Sequence, residues 1–179
     1  PSGKVRYIGG STMPAYKFAQ MVTVADWKGY ARPIAMQNLY NLVQREEERE
    51  MNRLCAEQGV GLIPYSPLAR GFLAGNRSKE GGGTTERSKS DVQVRAGTYR
   101  DCDWEIIKRL KKVAKAKGAT PAQVALAWLL AKPYMGAPII GATGLDQLTS
   151  AAQSTDIALT PEESKLLEQP YEFRVSPEN

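Results

Sequence analysis

The best opportunity for chemistry in this sequence lies in GLIPYSPLARG, Gly61 to Gly71. A short apolar run that stops at Pro64 reads as a strand. Tyr65 then offers an aromatic face, Ser66-Pro67 a turn, and Arg70-Gly71 a cation beside a backbone free to bend. This layout suits a loop that holds nucleotide phosphates at the C-terminal end of a strand. An aromatic in that place also commonly packs against a core edge, so Tyr65 taken alone leaves both readings open. Two other polar groups stand at strand ends. Ser11 and Thr12 follow the β-rich run Lys4 to Gly10, and Gln37, Asn38, Tyr40 and Asn41 follow the run Pro33 to Gln37. Acid–base chemistry has less to draw on, because the 179 residues include no histidine. Tyr40, Tyr99 and Tyr134 are phenols that titrate near 10 and need a close cation to donate a proton at neutral pH. No spacing guarantees them one.

The elements that must position these groups are legible from periodicity. Pro14 opens a helix to Trp27 that carries Phe18, Met21, Val22 and Ala25 on one stripe and ends at Gly29. A second helix is predicted to start in the acidic cluster Glu46 to Glu48, at the positive end of its dipole. It runs through Met51, Leu54 and Cys55 to Gly59, and its REEERE stretch is expected to be a solvated, charge-paired face. Val60 to Pro64 supplies the third strand. Residues from about 75 to 98 are rich in Gly, Ser, Thr, Lys and Arg and read as a long mobile loop, which fits a lid and slack chain equally well. Asp103 to Lys117 is a basic amphipathic helix, and Thr120-Pro121 caps a very apolar helix from Ala122 to Ala131. Ala137 to Ala142 is predicted as a fourth strand. Gly141 to Leu145 then leads into a helix through Ser154, whose first N–H groups are placed to meet an anion. A capping box at Thr160 to Glu163 starts a last helix to about Gln169, before a loosely ordered tail to Asn179. Four strands alternating with helices imply parallel pairing and right-handed crossovers, hence an α/β class for a single domain over residues 1–179.

Composition narrows the function classes. Apolar residues make up 42% and charged residues 24%, with no apolar run long enough to span a bilayer and no leader-like N-terminus. Cys55 and Cys102 cannot build a disulfide framework and have no metal-like neighbours, so zinc is not indicated and a reducing cytoplasm is the expected compartment. The net charge of +5 is scattered except over Lys108 to Lys117, where it reads as the solvated face of the basic helix. Neither a nucleic acid nor a membrane is an expected partner. A modest positive field also suits an anionic dinucleotide.

The motifs together carry a resemblance. The segment Gly61 to Gly71 resembles the seventh barrel strand and following loop of the aldo-keto reductases. VRYIGGSTM (Val5 to Met13), AMQNLYNLVQREEE (Ala35 to Glu48) and PIIGATGLDQL (Pro138 to Leu148) resemble that family's fifth, sixth and eighth strand segments, in order and close to its spacing. Each motif is weak alone, but four in register, over nearly the whole chain, are specific. The resemblance implies the C-terminal half of a TIM-type barrel, with four parallel strands alternating with helices plus an extra C-terminal helix. A complete barrel typically needs about 250 residues. The wording near Gln37 to Glu50 is similar to the aryl-alcohol dehydrogenase branch.

The site residues follow from the resemblance one at a time. Ser11 and Thr12 match the pair that binds the nicotinamide carboxamide, and Gln37 matches the glutamine that binds the same amide. Tyr65 matches the ring that stacks on the nicotinamide. Ser66, Leu68, Arg70 and Gly71 match the lining of the pyrophosphate, and Gly141, Ala142, Thr143 and Gln147 the adenosine end. Gly144 stands close to where many members place a lysine, and a 2′-phosphate is best held by Arg or Lys. The resemblance implies NADP as the expected cofactor, but the lack of a cation at this place counts against that preference and leaves NAD open. The family's catalytic tetrad of Asp, Tyr, Lys and His belongs to its first four strands, whereas this sequence starts at the fifth-strand segment and has no histidine. No catalytic residue is assigned, and the chain alone is expected to be inactive. Completion by an N-terminal half would bring a carbonyl or alcohol substrate, and open sheet edges would favour self-association. The rival readings are a non-catalytic nucleotide-binding or interaction module and an inactive truncated product.

Overall fold

A computed structural model of the chain describes residues 2–79, 83, 85 and 98–174. Its centre is a parallel sheet in the order β1 (Ile8–Ser11), β2 (Pro33–Gln37), β3 (Gly61–Leu62). Gly9 lies opposite Ala35 and Ser11 opposite Gln37, while Ala35 and Met36 pair with Gly61 and Leu62. Two glycines explain how tightly β1 fits. A Cβ on Gly9 would stand 2.8 Å from the Ala35 carbonyl oxygen, and one on Gly10 would stand 2.6 Å from Met36 Cε and 2.9 Å from Phe18 Cε2. Their bare backbones let the strand and the following helix close on β2 without a gap.

Helix α1 (Ala15–Lys28) crosses from β1 to β2 and buries Phe18, Val22 and Ala25, and α2 (Met51–Gln58) crosses from β2 to β3 and buries Met51, Asn52 and Cys55. Both end at a left-handed glycine, Gly29 and Gly59, as the sequence predicts. Helix α3 (Asp101–Ala116) turns Ile106, Ile107, Leu110 and Val113 inward. Helix α4 (Pro121–Leu130) has every residue from Val124 to Leu129 buried, which is why its sequence is apolar all round. Capping boxes form at Thr120–Gln123 and Thr160–Glu163 and start α4 and the last described helix, here called α6 (Pro161–Glu168). Between them lies α5 (Leu145–Ala152), which buries no residue. The core gathers Met36, Tyr40, Leu62, Phe72, Leu73, Leu110 and Trp128 between the sheet and the helices.

Three expectations need correction. The described sheet has three strands, not four. The segment after Lys132 does run beside β3, with a parallel bridge between Leu62 and Met135 and with the Gly136 and Ile139 N–H groups donating to Leu62 O and Pro64 O at 2.8 Å each. Pro64 lacks the N–H that would follow the Leu62 N–H bond to Tyr134 O, however, so the ladder is interrupted and no continuous strand forms over 137–142. The helix expected from Glu46 to Gly59 is broken. A 3₁₀ turn at Glu46–Glu48 is separated from α2 by Glu50, whose φ of −137° is not helical. The helix expected through Ser154 stops at Ala152 and tightens into a 3₁₀ turn over Gln153–Asp156. Most of the expected loop at 75–98, and the tail after residue 174, lie outside the described residues. Among the described residues no helix is long and apolar enough to cross a membrane.

Candidate functional site

The C-terminal ends of the three strands bring four of the expected residues together. Ser11 closes β1, and its hydroxyl donates to the Gln37 carbonyl at 3.1 Å. The Thr12 N–H donates to the same oxygen at 3.0 Å, so the ends of β1 and β2 are locked side by side. Tyr65 follows β3; its N–H donates to Asn38 O at 3.0 Å, and it forms a parallel bridge with Leu39. The phenol oxygen of Tyr65 lies 3.4 Å from Thr12 Oγ1, across the width of the sheet. The Gln37 side-chain amide meets no protein partner among the described residues and is half-buried, so its donor and its acceptor are both available. Gln37, Thr12 and Tyr65 are half-buried and Ser11 is exposed. Three neighbouring strand ends thus carry hydroxyls, an amide and an aromatic ring.

The loop from Ser66 to Gly71 is the most unusual backbone in the described chain. Ser66, Ala69 and Arg70 take φ of 52°, 46° and 54°, the only positive values for non-glycine residues among those described, and Gly71 follows at 86°. A left-handed side-chain-bearing residue costs on the order of 1–2 kcal/mol, so three in five positions need outside support. That support is visible. Asn41 Nδ2 donates to Ser66 O at 3.0 Å, the Tyr99 hydroxyl donates to Ala69 O at 2.8 Å, and Arg77 Nη2 donates to Arg70 O at 2.8 Å. Tyr99 is fixed in turn by stacking on Phe72, with ring centroids 3.8 Å apart. The Ser66 and Leu68 N–H groups have no acceptor among the described residues, and alternating right- and left-handed backbone of this kind presents N–H groups to an anion. Leu68 is half-buried and Arg70 exposed.

A second group sits beyond it. Gly141, Ala142, Thr143 and Gln147 are all exposed. Gln147 Oε1 accepts from the Thr143 N–H at 3.0 Å and lies 3.3 Å from its hydroxyl, which closes the start of α5. The segment is linked to the first group through the Ile139–Pro64 bond.

Acid–base candidates are poor. Tyr40 is fully buried and donates to Glu48 Oε1 at 2.5 Å, and burial together with the Glu48 charge holds its pKa far above the ordinary phenol value. Burial also raises Tyr134, whose oxygen is 3.5 Å from that of Tyr40. The Cys55 thiol is pushed up to about 11 by burial and by Glu47. None of these groups is poised to give a proton at neutral pH.

The REEERE stretch is only in part the solvated, charge-paired face its charges predict: Arg49 and Glu50 are exposed, whereas Arg45 to Glu48 are half-buried. Arg45 pairs with Glu48 at 2.8 Å and Glu168 at 3.6 Å, and its guanidinium lies over the rings of Trp128 and Tyr171. The Tyr171 hydroxyl donates to Glu46, and the stretch binds the end of α6 to the loop after β2. Glu168 and Tyr171 are more than 120 residues away, so nothing local marks them. Asn41, Arg77 and Tyr99 escaped the sequence reading as loop supports for a related reason, although the polar letters of QNLYN did give a sign for Asn41. Expected in a polar loop, Asn38, Tyr40 and Asn41 are instead fully buried.

With this geometry in place, comparison with known proteins fixes the class: residues 1–172 match the aldo/keto reductase family, and the chain belongs to it. It is 43% identical over 174 residues to a versiconal hemiacetal acetate reductase of Aspergillus parasiticus, covering 95% of this chain and 49% of that protein. It is 43% identical over 170 residues to a Schizosaccharomyces pombe protein provisionally named an aryl-alcohol dehydrogenase, covering 95% of this chain and 47% of the relative. Among solved structures, a thermostable aldo-keto reductase bound to the inhibitor epalrestat superposes with a TM-score of 0.67 at 29% identity, over 94% of this chain and 50% of the other. The chain thus spans about half the length of the relatives it matches.

Proposed function

We propose that these residues form the dinucleotide-binding portion of an NAD(P)-dependent aldo-keto reductase, corresponding to the C-terminal half of a TIM-type barrel. In this reading Ser11, Thr12 and Gln37 hold the nicotinamide amide and Tyr65 stacks on its ring. Ser66, Leu68, Arg70 and Gly71 line the pyrophosphate, and Gly141, Ala142, Thr143 and Gln147 receive the adenosine. The observation that carries it is the convergence of Thr12, Gln37 and Tyr65 at three adjacent parallel strand ends, with the Thr12 and Tyr65 oxygens 3.4 Å apart. Parallel sheets with helical crossovers place ligands at that end.

The reaction supported is hydride transfer between the cofactor and an aldehyde, ketone or alcohol, carried out when an N-terminal half supplies the proton-transfer residues. The cofactor brings the hydride, and the protein's share is to present one ring face and exclude the other. NADP is the first choice by family. The stretch Gly141 to Leu148 contains no Lys or Arg, however, so NADH is expected to compete better than in relatives with a cation there. Two free thiols fit a reducing, cytoplasmic compartment. A non-catalytic nucleotide-binding module is favoured as the second reading by the absence of histidine and the raised phenol pKa values.

Fluorescence titration of the 179-residue chain with NADPH and NADH tests the proposal. Binding is expected, with Tyr65→Ala weakening it by about tenfold and Tyr65→Phe by far less, because the ring and not the hydroxyl supplies the stacking area. No NADPH oxidation above background is expected with aromatic aldehydes. Turnover by the pure chain defeats the assignment of proton transfer elsewhere, and an unchanged affinity in Tyr65→Ala removes the stacking role.

A further inference from the structure

Asn41 is fully buried, yet both ends of its side chain are committed to main-chain groups of the two loops that frame the candidate site. Its Oδ1 accepts from the Val43 N–H at 3.0 Å, and its own N–H and C=O exchange bonds with Gln44 at 3.1 Å each. The amide is therefore held by its own turn, and Nδ2 reaches across to donate to Ser66 O at 3.0 Å. That carbonyl also accepts the Ala69 N–H at 2.9 Å. The peptide bond it belongs to joins Ser66 to Pro67 and has no N–H, so the carbonyl oxygen is the one main-chain handle by which this peptide plane can be fixed. It is fixed with Ser66 at a φ of 52°, at the head of a loop where Ala69 and Arg70 are left-handed as well.

We infer that Asn41 is a positioning residue for the dinucleotide pyrophosphate, acting through its bond to Ser66 O to hold the Ser66–Gly71 backbone preformed in its left-handed shape. The inference rests on the dinucleotide reading above and adds a residue to it. Strain of this kind persists only where surrounding contacts over-determine it, and a loop that is ordered before the anion arrives binds it without an ordering cost. The neighbouring support from Tyr99 comes from just before α3, whereas Asn41 comes from the loop that directly follows Gln37. One turn therefore links the nicotinamide end of the site to its phosphate end.

The test uses the full 179-residue chain with Asn41→Ala, Asn41→Asp, Ser66→Gly and the double variant Asn41→Ala/Ser66→Gly. Asn41→Asp keeps the shape and the acceptor for Val43 but sets a carboxylate oxygen against the Ser66 carbonyl, so it reads the bond even if Asn41→Ala folds poorly. Three ligands are titrated by calorimetry: NADPH, 2′-phospho-ADP-ribose, which keeps the pyrophosphate and lacks nicotinamide, and reduced nicotinamide mononucleotide, which has no pyrophosphate. Loss of the clamp is expected to weaken the first two by about three- to tenfold and to leave the third within about twofold. Measured against Ser66→Gly alone, since Ser66 lies in the proposed lining, Asn41→Ala is expected to cost at most half of what it costs in the parent, because glycine enters the left-handed region without penalty. Equal weakening of all three ligands, or an undiminished cost of Asn41→Ala beside Ser66→Gly, makes Asn41 merely structural and overturns the inference. Parent-like affinity in both Asn41 single variants overturns it too while leaving the dinucleotide reading intact, whereas failure of the parent chain to bind NADPH defeats that reading and the inference with it.

Discussion

At the scale of single residues, the best-defined electrostatic group is Glu168, at the end of α6. Its Oε1 accepts from Trp128 Nε1 and from Lys132 Nζ at 2.7 Å each, and its Oε2 lies 3.6 Å from Arg45. Burial by itself would raise its pKa, but Lys132, the Trp128 N–H and Arg45 together outweigh burial and hold it below the ordinary carboxylate range. A carboxylate depressed in the folded state binds its proton first in the unfolded chain. Its contribution to stability is complete above the unfolded pKa, about 4.3, and disappears as pH falls through the lower folded value. Glu168→Gln is therefore expected to cost about 1–2 kcal/mol at neutral pH, or roughly 3–6 °C in Tm. As pH falls through the depressed folded value, the gap between variant and parent should close. Thermal melts of both proteins across that range decide it, and a gap that stays constant with pH shows that Glu168 acts by shape alone. This network is also where sequence reading was weakest. Charges at Arg45, Glu46 and Glu48 look like a surface helix face because their partners, Glu168 and Tyr171, become neighbours only after the chain has folded back. Tyr65 and Gln37 were legible for the opposite reason, since each stands directly after a run whose apolar pattern ends at a definable point.

At the scale of elements, β1 is held to β2 by a contact that has no slack. Gly9→Ala would bring a methyl group to 2.8 Å from the Ala35 carbonyl oxygen, a backbone atom that moves only with its strand. The substitution is expected to destabilise the fold by about 1–3 kcal/mol. If Ser11 and Thr12 hold a dinucleotide as proposed, it should also weaken that binding, because both residues move with the strand. Gly61→Ala is the matched control: its nearest neighbours would be 3.8 Å away, and an effect within about 0.5 kcal/mol is expected. Equal melting temperatures for Gly9→Ala and the parent would mean that the strands are not packed this closely. The same elements mark what the sequence could convey. Strand β2 begins and ends where its pattern says, from Pro33 to Gln37, and both capping boxes form at Thr120 and Thr160. The predicted strand over 137–142 failed because hydrophobicity reports burial, while a ladder also needs N–H groups, and Pro64 removes one from the β3 side of the pairing. The break between Glu48 and Met51 was hidden because nothing in the residue types there disfavours a helix; the turn is imposed by the anchoring of Arg45 and Glu46.

At the scale of the whole molecule, the apolar surface is unevenly distributed. Strand β1 has one paired side among the described residues. Val5 and Tyr7 before it, Ile8 within it, Val24 and Trp27 on α1 and Tyr30 just after α1 are exposed, with Trp27 77% exposed. Around the other end of the sheet Ile139, Leu145 and Leu148 are exposed, and α5 buries none of its own residues. A single exposed aromatic is ordinary, but a strand edge with an apolar helix beside it is a surface that other protein covers. The matched relatives are about twice as long as this chain, and in the half-barrel reading proposed above these surfaces are the ones that further barrel elements would cover. The 179-residue chain by itself is therefore expected to self-associate in the micromolar range through these edges. Sedimentation velocity measures this directly. Association that is lost on Tyr7→Lys with Trp27→Glu, both on exposed side chains, assigns it to the β1–α1 face. A parent chain that stays monomeric to about 100 μM shows that the exposed edge is tolerated, and the open-barrel account of this surface then fails.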